Sequence, residues 1–196
     1  DVYVALSGLP SDQRARIAEA CAEALRRHGQ NLDLSLIASI LLGVWPESRR
    51  FLHAPLTTSR ALFGELLFQF FCAAELCIDE LSTTTKQGVR DLAIEHLSMT
   101  KDATESSAYA AADFIGGKWP DLHEACNILR RIAFHGRFAV GRDYAIYGLG
   151  EVARRTRSLK RRYAIRDTVA RIAEEDRSRH VQARARLQLS RLLARK

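Results

Sequence analysis

Apolar positions recur along most of this chain every three to four residues, the spacing that lines one face of a helix. The first such stretch is SDQRARIAEACAEALRRH, where Ile17, Cys21, Ala24 and Leu25 share a side. Ser11 is placed to cap its start, Arg26, Arg27 and His28 suit its end, and Gly29 follows. A second pattern over 32–44 points Leu36, Ile37, Ile40 and Leu41 inward, and Trp45-Pro46 closes it. Residues 47–58 read as a loop or one short helical turn. The third pattern, 59–81, is the most apolar. Leu62, Phe63, Leu66, Leu67, Phe70, Phe71 and Leu76 cover most of its circumference, leaving a narrow polar stripe through Glu65, Gln69, Cys72, Glu75 or Leu76, and Asp79. A helix apolar on most sides is packed on most sides, so this one belongs at the centre of the N-terminal half.

Ser82 to Thr85 form a loop with capping residues, and Val89, Leu92, Ala93 and Leu97 make a fourth helix. A fifth spans 103–115 and stops at Gly116-Gly117. Asp121 caps a sixth, which runs to Phe134 and breaks at His135-Gly136. Three more follow between Gly141 and Lys196, for about nine helices. No convincing strand alternation occurs, since VYVAL at 2–6 is short and terminal. The spacing predicts an all-α chain in a single domain, 1–196, with irregular helices over 1–103 and a repeating pattern over 104–196.

The repetition is one of pattern. Ala145, Leu149 and Val152 share a helix face, and Ala185, Leu189 and Leu192 reproduce it 40 residues later. Ala108, Ala112 and Ile115 anticipate it 37 residues earlier. Leu122, Ile128, Ile132 and Ala133 match Leu159, Ile165, Val169 and Ala170 at the same shift.

GRDYAIYGLGEVARR resembles the first helix of a HEAT-type repeat, in which a basic residue, then Ala, then Leu-Gly recur. RRYAIRDTVARIA resembles the second helix, with Asp167 near its middle. The resemblance covers 104–196. It implies a right-handed stack of antiparallel helix hairpins, a HEAT-like α-solenoid; the alternative is an irregular helical bundle. Small residues in Gly148-Leu149-Gly150 would let helices of such a stack approach closely.

Four Pro and abundant Ala, Leu and Arg favour helix over sheet. The longest apolar run, 61–78, contains Glu65, Gln69 and Glu75, which argues against a membrane span. Cys21, Cys77 and Cys126 lie among apolar residues, Cys72 is the fourth, and no C-x-x-C pair exists. That usage argues against a disulfide framework or zinc site and suits a reducing, cytoplasmic setting. No secretory signal or lipidation motif is visible.

Charge is asymmetric. Residues 1–136 hold 13 Lys and Arg against 17 Asp and Glu, a balance of −4, whereas 137–196 hold 17 against 6, or +11. The densest block is a turn between helices: Arg154, Arg155, Arg157, Lys160, Arg161 and Arg162, extended along one helix face by Arg166. Guanidinium groups grip carboxylate or phosphate with two donors at once. An acidic protein surface is the first expectation for a partner, and a nucleic-acid backbone the second. The block also reads as a solvated face whose arginines pair with Glu151, Glu174, Glu175 and Asp176. Only Tyr163 follows it as an aromatic, which weakens single-strand binding by stacking.

No catalytic constellation emerges. Gly148-Leu149-Gly150 sits within a helical pattern and does not follow a strand, so it is no dinucleotide loop. The six His show neither H-x-x-x-H nor H-E-x-x-H spacing, and no metal or cofactor is expected. Glu65 and Glu75 stand ten residues apart, about 15 Å along a helix, too far for a hydrolytic pair. Helical-repeat glycosylases for alkylated DNA keep aromatic and acidic residues on a concave face. Trp119 with Asp121, or Tyr144 and Tyr147 with Asp143, are this chain's candidates, at unspecific spacing. The expectation is a non-enzymatic helical-repeat module that binds a protein, as adaptor, assembly factor, inhibitor or immunity-type protein, through its basic C-terminal face. Phosphate-directed nucleic-acid binding by the same patch is the alternative.

Overall fold

The computed structural model describes residues 2–52, 60–99, 105–119 and 121–194. Among the described residues there are 11 α-helices and no strand, two more helices than the spacing predicts. The chain divides into two compact units, 1–92 and 93–196.

In the first unit, α1 (Val2–Ser7) is the stretch that alternation left undecided, and it is helical. Tyr3 is buried, and its hydroxyl accepts the Ser82 N–H at 3.1 Å. α2 (Ser11–His28) buries Ala18, Cys21, Ala22 and Leu25. Ser11 does not cap it. Its hydroxyl donates to Glu47 Oε1 at 2.7 Å, and Arg14 grips the same carboxylate at 2.8 and 3.0 Å. Arg14 first, then the Ser11 hydroxyl, overcome the cost of burial and hold the Glu47 carboxyl at about 2.

α3 (Leu34–Gly43) starts at Asp33, whose carboxylate accepts the Ser35 and Leu36 N–H groups. It buries Ala38, Leu41 and Leu42, while Leu36, expected inside, is exposed. α4 (Arg49–Leu52) is a single turn, and the rest of the expected 47–58 loop, 53–58, lies outside the described residues. α5 (Arg60–Leu76) packs against α3 and buries Leu66, Leu67, Phe70, Phe71 and Ala74. It ends five residues before the predicted boundary. The backbone turns tightly there, with the Glu80 and Leu81 N–H groups both on the Cys77 carbonyl. Leu76 is thereby 88% exposed, not part of the apolar circumference.

α6 (Thr83–Met99) lies partly in each unit, with the Ser82 hydroxyl accepting the Thr85 N–H at its start. In the second unit α7 (Glu105–Asp113) runs on through a π-helical turn over Phe114–Lys118. The predicted stop at Gly116-Gly117 lies inside that turn. Gly116 is small because α9 (Ala139–Arg155) crosses there: a Cβ on Gly116 would collide with the Gly148 carbonyl. A Cβ on Gly148 would stand 2.9 Å from the Ala112 carbonyl and 3.0 Å from Leu129, and one on Gly150 would strike Gln188. The Gly-Leu-Gly sequence is therefore a contact surface for neighbouring helices.

α8 (Leu122–His135) is capped by Asp121, which accepts the His123 and Glu124 N–H groups at 2.8 and 3.1 Å. α9 is the hub of this unit and packs against α7, α8 and α11 (Arg179–Leu193); α10 (Leu159–Glu175) packs mainly on α11. Arg142 on α9 is buried and donates twice to Asp176, at 2.8 and 3.0 Å, and to the Gly136 carbonyl at 3.0 Å. Burial raises the Asp176 carboxyl, but Arg142 and the Ser178 N–H outweigh it and leave it below the usual range. Asp143, also buried, accepts from Arg184 at 2.9 Å and faces His180 at 3.6 Å.

The repeating pattern is a pattern of burial. Ala108, Ala145 and Ala185 are all fully buried. Ile115 and Val152 are fully buried too, whereas Leu192, their counterpart on the last helix, is half-open.

Candidate functional site

Thr156 organises the basic turn. It is buried, and its N–H reaches back to the Val152 carbonyl at the end of α9. Its hydroxyl accepts the Ser158 N–H and Arg161 Nη1, each at 3.3 Å, and its carbonyl accepts Arg162 Nε at 3.0 Å. Ser158 caps α10 by accepting the Arg161 N–H at 3.3 Å. A turn so dense in cations folds because its own hydroxyls and carbonyls hold the arginines in place.

The seven basic residues separate. Arg155 is committed to the fold, donating to the carbonyls of Gly116 at 2.9 Å and Trp119 at 2.8 Å, where the π turn ends. Burial, and then the Arg154 charge, lower its pKa from the ordinary value. Arg161 lies on the side of Asp121, where its charge helps to depress that carboxyl. Arg157 and Lys160 are exposed. Arg154, Arg162 and Arg166 converge on one groove of about 440 Å³. Arg154 pairs with Glu151, and Arg166 lies over the Tyr163 ring at 4.8 Å and 3.5 Å from Asp167.

The other lining side chains are Ala153, Leu159, Tyr163, Leu192 and Leu193. Leu159, Tyr163 and Leu193 are 62%, 53% and 56% exposed. Leu159 matches Leu122 by spacing, but Leu122 is half-buried and Leu159 is exposed, so the two positions do not share an environment. The reason is local: Leu159 and Tyr163 stand one turn apart on α10, away from the buried face of Ile165, Val169 and Ile172. On α11, Val181 and Ala185 are covered, but cover fails toward its C-terminal end. The basic half of the groove is legible in the sequence. The apolar half is legible only in part: Val181, Ala185, Leu189, Leu192 and Leu193 on the last helix need cover, and Leu193 does not get it, whereas Leu159 and Tyr163 gave no such signal.

The first turn of α10 carries Lys160, Arg161 and Arg162 and no acidic residue. Its N-terminal dipole is positive as well, so cations and helix end repel one another.

A second depression, of about 480 Å³, is lined by Phe134, His135, Arg142, Arg171, Asp176 and Arg177, among others. Its charges are spent on one another: Arg142 on Asp176, Arg171 on Glu175, and Arg177 on the Arg137 carbonyl. The aromatic and acidic candidates are likewise engaged. Tyr147 hydroxyl is 3.1 Å from Asp113 Oδ1 and 3.0 Å from the Tyr109 hydroxyl, away from Asp143. Burial, Tyr109 and Asp113 raise the Tyr147 phenol. Trp119 donates to Glu124, not Asp121. Among the described residues no three His, Cys, Asp or Glu side chains form a group suited to a metal, and no helix is long and apolar enough to cross a membrane.

No family model, curated protein or solved structure matches the chain.

Proposed function

We propose that this chain is a non-enzymatic, HEAT-like helical-repeat module, a right-handed α-solenoid over 104–196, that binds a protein partner at the groove between α10 and α11. The partner presents carboxylates around one or two apolar side chains. One observation carries the reading: Leu159, Tyr163 and Leu193 stand exposed beside Arg154, Arg162 and Arg166. Phosphate backbones ask for cations and offer nothing to exposed leucines. Protein surfaces use both, an apolar centre with a charged rim. Of the seven basic residues, Arg155 supports the fold, and Arg154, Arg162 and Arg166 meet the partner. Arg157, Lys160 and Arg161 add field at the rim and raise the association rate. Four cysteines with no C-x-x-C pair suit a cytoplasmic setting for this work.

Fluorescence anisotropy tests the reading with three probes: an amphipathic helical peptide of alternating Glu and Leu faces, a polyglutamate of equal length, and a mixed-sequence DNA duplex. At about 50 mM salt the amphipathic peptide binds most tightly, and the duplex binds at least about tenfold more weakly. Tighter binding of the duplex, lost steeply at about 200 mM salt, contradicts the proposal and transfers the groove to nucleic acid.

A further inference from the structure

The most exposed large apolar side chain among the described residues is Leu76, at the last position of α5. It stands on a corner that is firmly built. Cys77 N–H bonds to the Ala73 carbonyl at 3.2 Å, and the Glu80 and Leu81 N–H groups close on the Cys77 carbonyl at 2.9 and 3.2 Å. Leu81 is buried and, next to it, Ser82 N–H is held by the Tyr3 hydroxyl. The corner therefore holds Leu76 out in solvent. Asp79 and Glu80 follow it, both exposed, and neither takes part in an ion pair among the described residues. An exposed leucine beside two unpaired carboxylates is the chemical counterpart of the groove, with its leucines, tyrosine and three arginines.

We propose that a second copy of this chain seats its Leu76 corner in the groove, with Leu76 among Leu159, Tyr163 and Leu193, and Asp79 and Glu80 facing Arg162 and Arg166. The proposal rests on the reading of the groove as a site for an acidic, apolar-bearing protein surface. Charge complementarity favours this occupant. The first unit carries 9 Lys and Arg against 11 Asp and Glu, a balance of −2, and the second 21 against 12, or +9. The two surfaces are different, so the contact is heterologous. The pair keeps one free corner and one free groove, one on each copy, and association continues head to tail until a ring closes. A single leucine with two carboxylates makes a small contact, so the assembly is weak, concentration-dependent and salt-sensitive.

Sedimentation velocity on the full chain tests this at about 5 and 100 µM protein and about 50 mM salt. The wild-type chain sediments as larger species at the higher concentration and returns to monomer at about 200 mM salt. Two variants separate the surfaces: Leu76→Asp, which keeps its groove, and Arg162→Glu with Arg166→Glu, which keeps its corner. Both change exposed or half-exposed side chains, and circular dichroism melts check that both fold. Each alone is monomeric at 100 µM, about tenfold or more weaker in self-association. Mixed, they form a heterodimer and nothing larger, because only one productive contact is left. A monomeric wild-type chain at 100 µM overturns the proposal, as does a Leu76→Asp variant that still associates or a mixture that does not. The peptide titration is independent. Peptide binding by a monomeric chain removes the self-association and leaves the groove reading intact, while failure of both removes both.

Discussion

Arg155 and Arg157 stand two residues apart in the same basic run and have opposite fates. Arg155 satisfies two backbone carbonyls at the end of the π turn, while Arg157 projects into solvent. Arg155→Ala leaves both carbonyls without their charged donor and costs about 2–3 kcal/mol, whereas Arg157→Ala changes stability by less than about 0.5 kcal/mol. Urea unfolding of the two variants checks this, and equal losses refute the assignment. His96 supplies a pH-dependent counterpart. Its ring is buried, Nε2 is 2.9 Å from the Ser107 hydroxyl, and burial, slightly opposed by Glu95, lowers its pKa from 6.5 to about 4. The folded state therefore holds the neutral ring. Between pH 6.5 and about 4 the unfolded chain binds the proton and the folded chain does not, so stability is full above 6.5 and falls as pH drops through this window. The loss reaches about 3 kcal/mol near pH 4. Denaturation curves at pH 7 and 4.5 for the wild-type chain and His96→Gln measure it, and the slope between the two pH values flattens in the variant.

Two elements make the same argument through shape and through charge. The π turn after α7 approaches α9 at Gly116, whereas a Cβ added to the neighbouring Gly117 would come no nearer than 3.6 Å to its closest neighbour, Asp113. Gly116→Ala costs about 2 kcal/mol or more because two backbones must separate, and Gly117→Ala stays within about 0.5 kcal/mol. Thermal melts distinguish them. Glu47 ties the turn after α3 to α2 through Arg14 and Ser11, and its carboxyl is lowered from 4.5 to about 2. A depressed acid stabilises above its unfolded pKa, so this contribution is present above pH 4.5 and disappears as pH falls toward 2. Glu47→Gln removes about 2 kcal/mol at pH 7 and little at pH 2, after allowance for its partial exposure.

These elements also explain what the sequence made legible. Asp121 as a cap could be read because a cap is decided within three residues. The bounds of α2 could be read for a related reason: its periodicity and its flanking Pro and Gly agree. Gly116-Gly117 misled because a pair of glycines signals a stop when only neighbours in sequence are considered. Here Gly116 serves a contact with a helix more than thirty residues away, and Gly117 does not. Leu36 and Leu76 misled for the converse reason. Periodicity says that a residue suits an apolar face, not that any element covers it. The basic turn was visible as composition. That Arg155 is consumed while Arg154, Arg162 and Arg166 converge depends on Thr156 and on where α9, α10 and α11 meet.

Over the whole chain, residues 1–136 carry a balance of −4 and 137–196 one of +11, and exposed leucines occur in both, Leu36 and Leu76 in the first and Leu159, Leu187 and Leu193 in the second. Cations alone would make the basic face a general anion binder, sensitive to salt and indifferent to shape. In the function proposed above, the exposed leucines would make it selective, since a partner would have to bring apolar surface to the same place as its carboxylates. The most direct test is titration of the Glu-Leu amphipathic peptide against the wild-type chain, Leu159→Ser with Leu193→Ser, and Arg162→Ser with Arg166→Ser, at about 50 and 200 mM salt. Both double variants weaken binding about tenfold or more, and only the arginine variant loses the salt dependence. A leucine variant that binds the peptide as the wild-type chain does contradicts the account and reduces the groove to a basic patch.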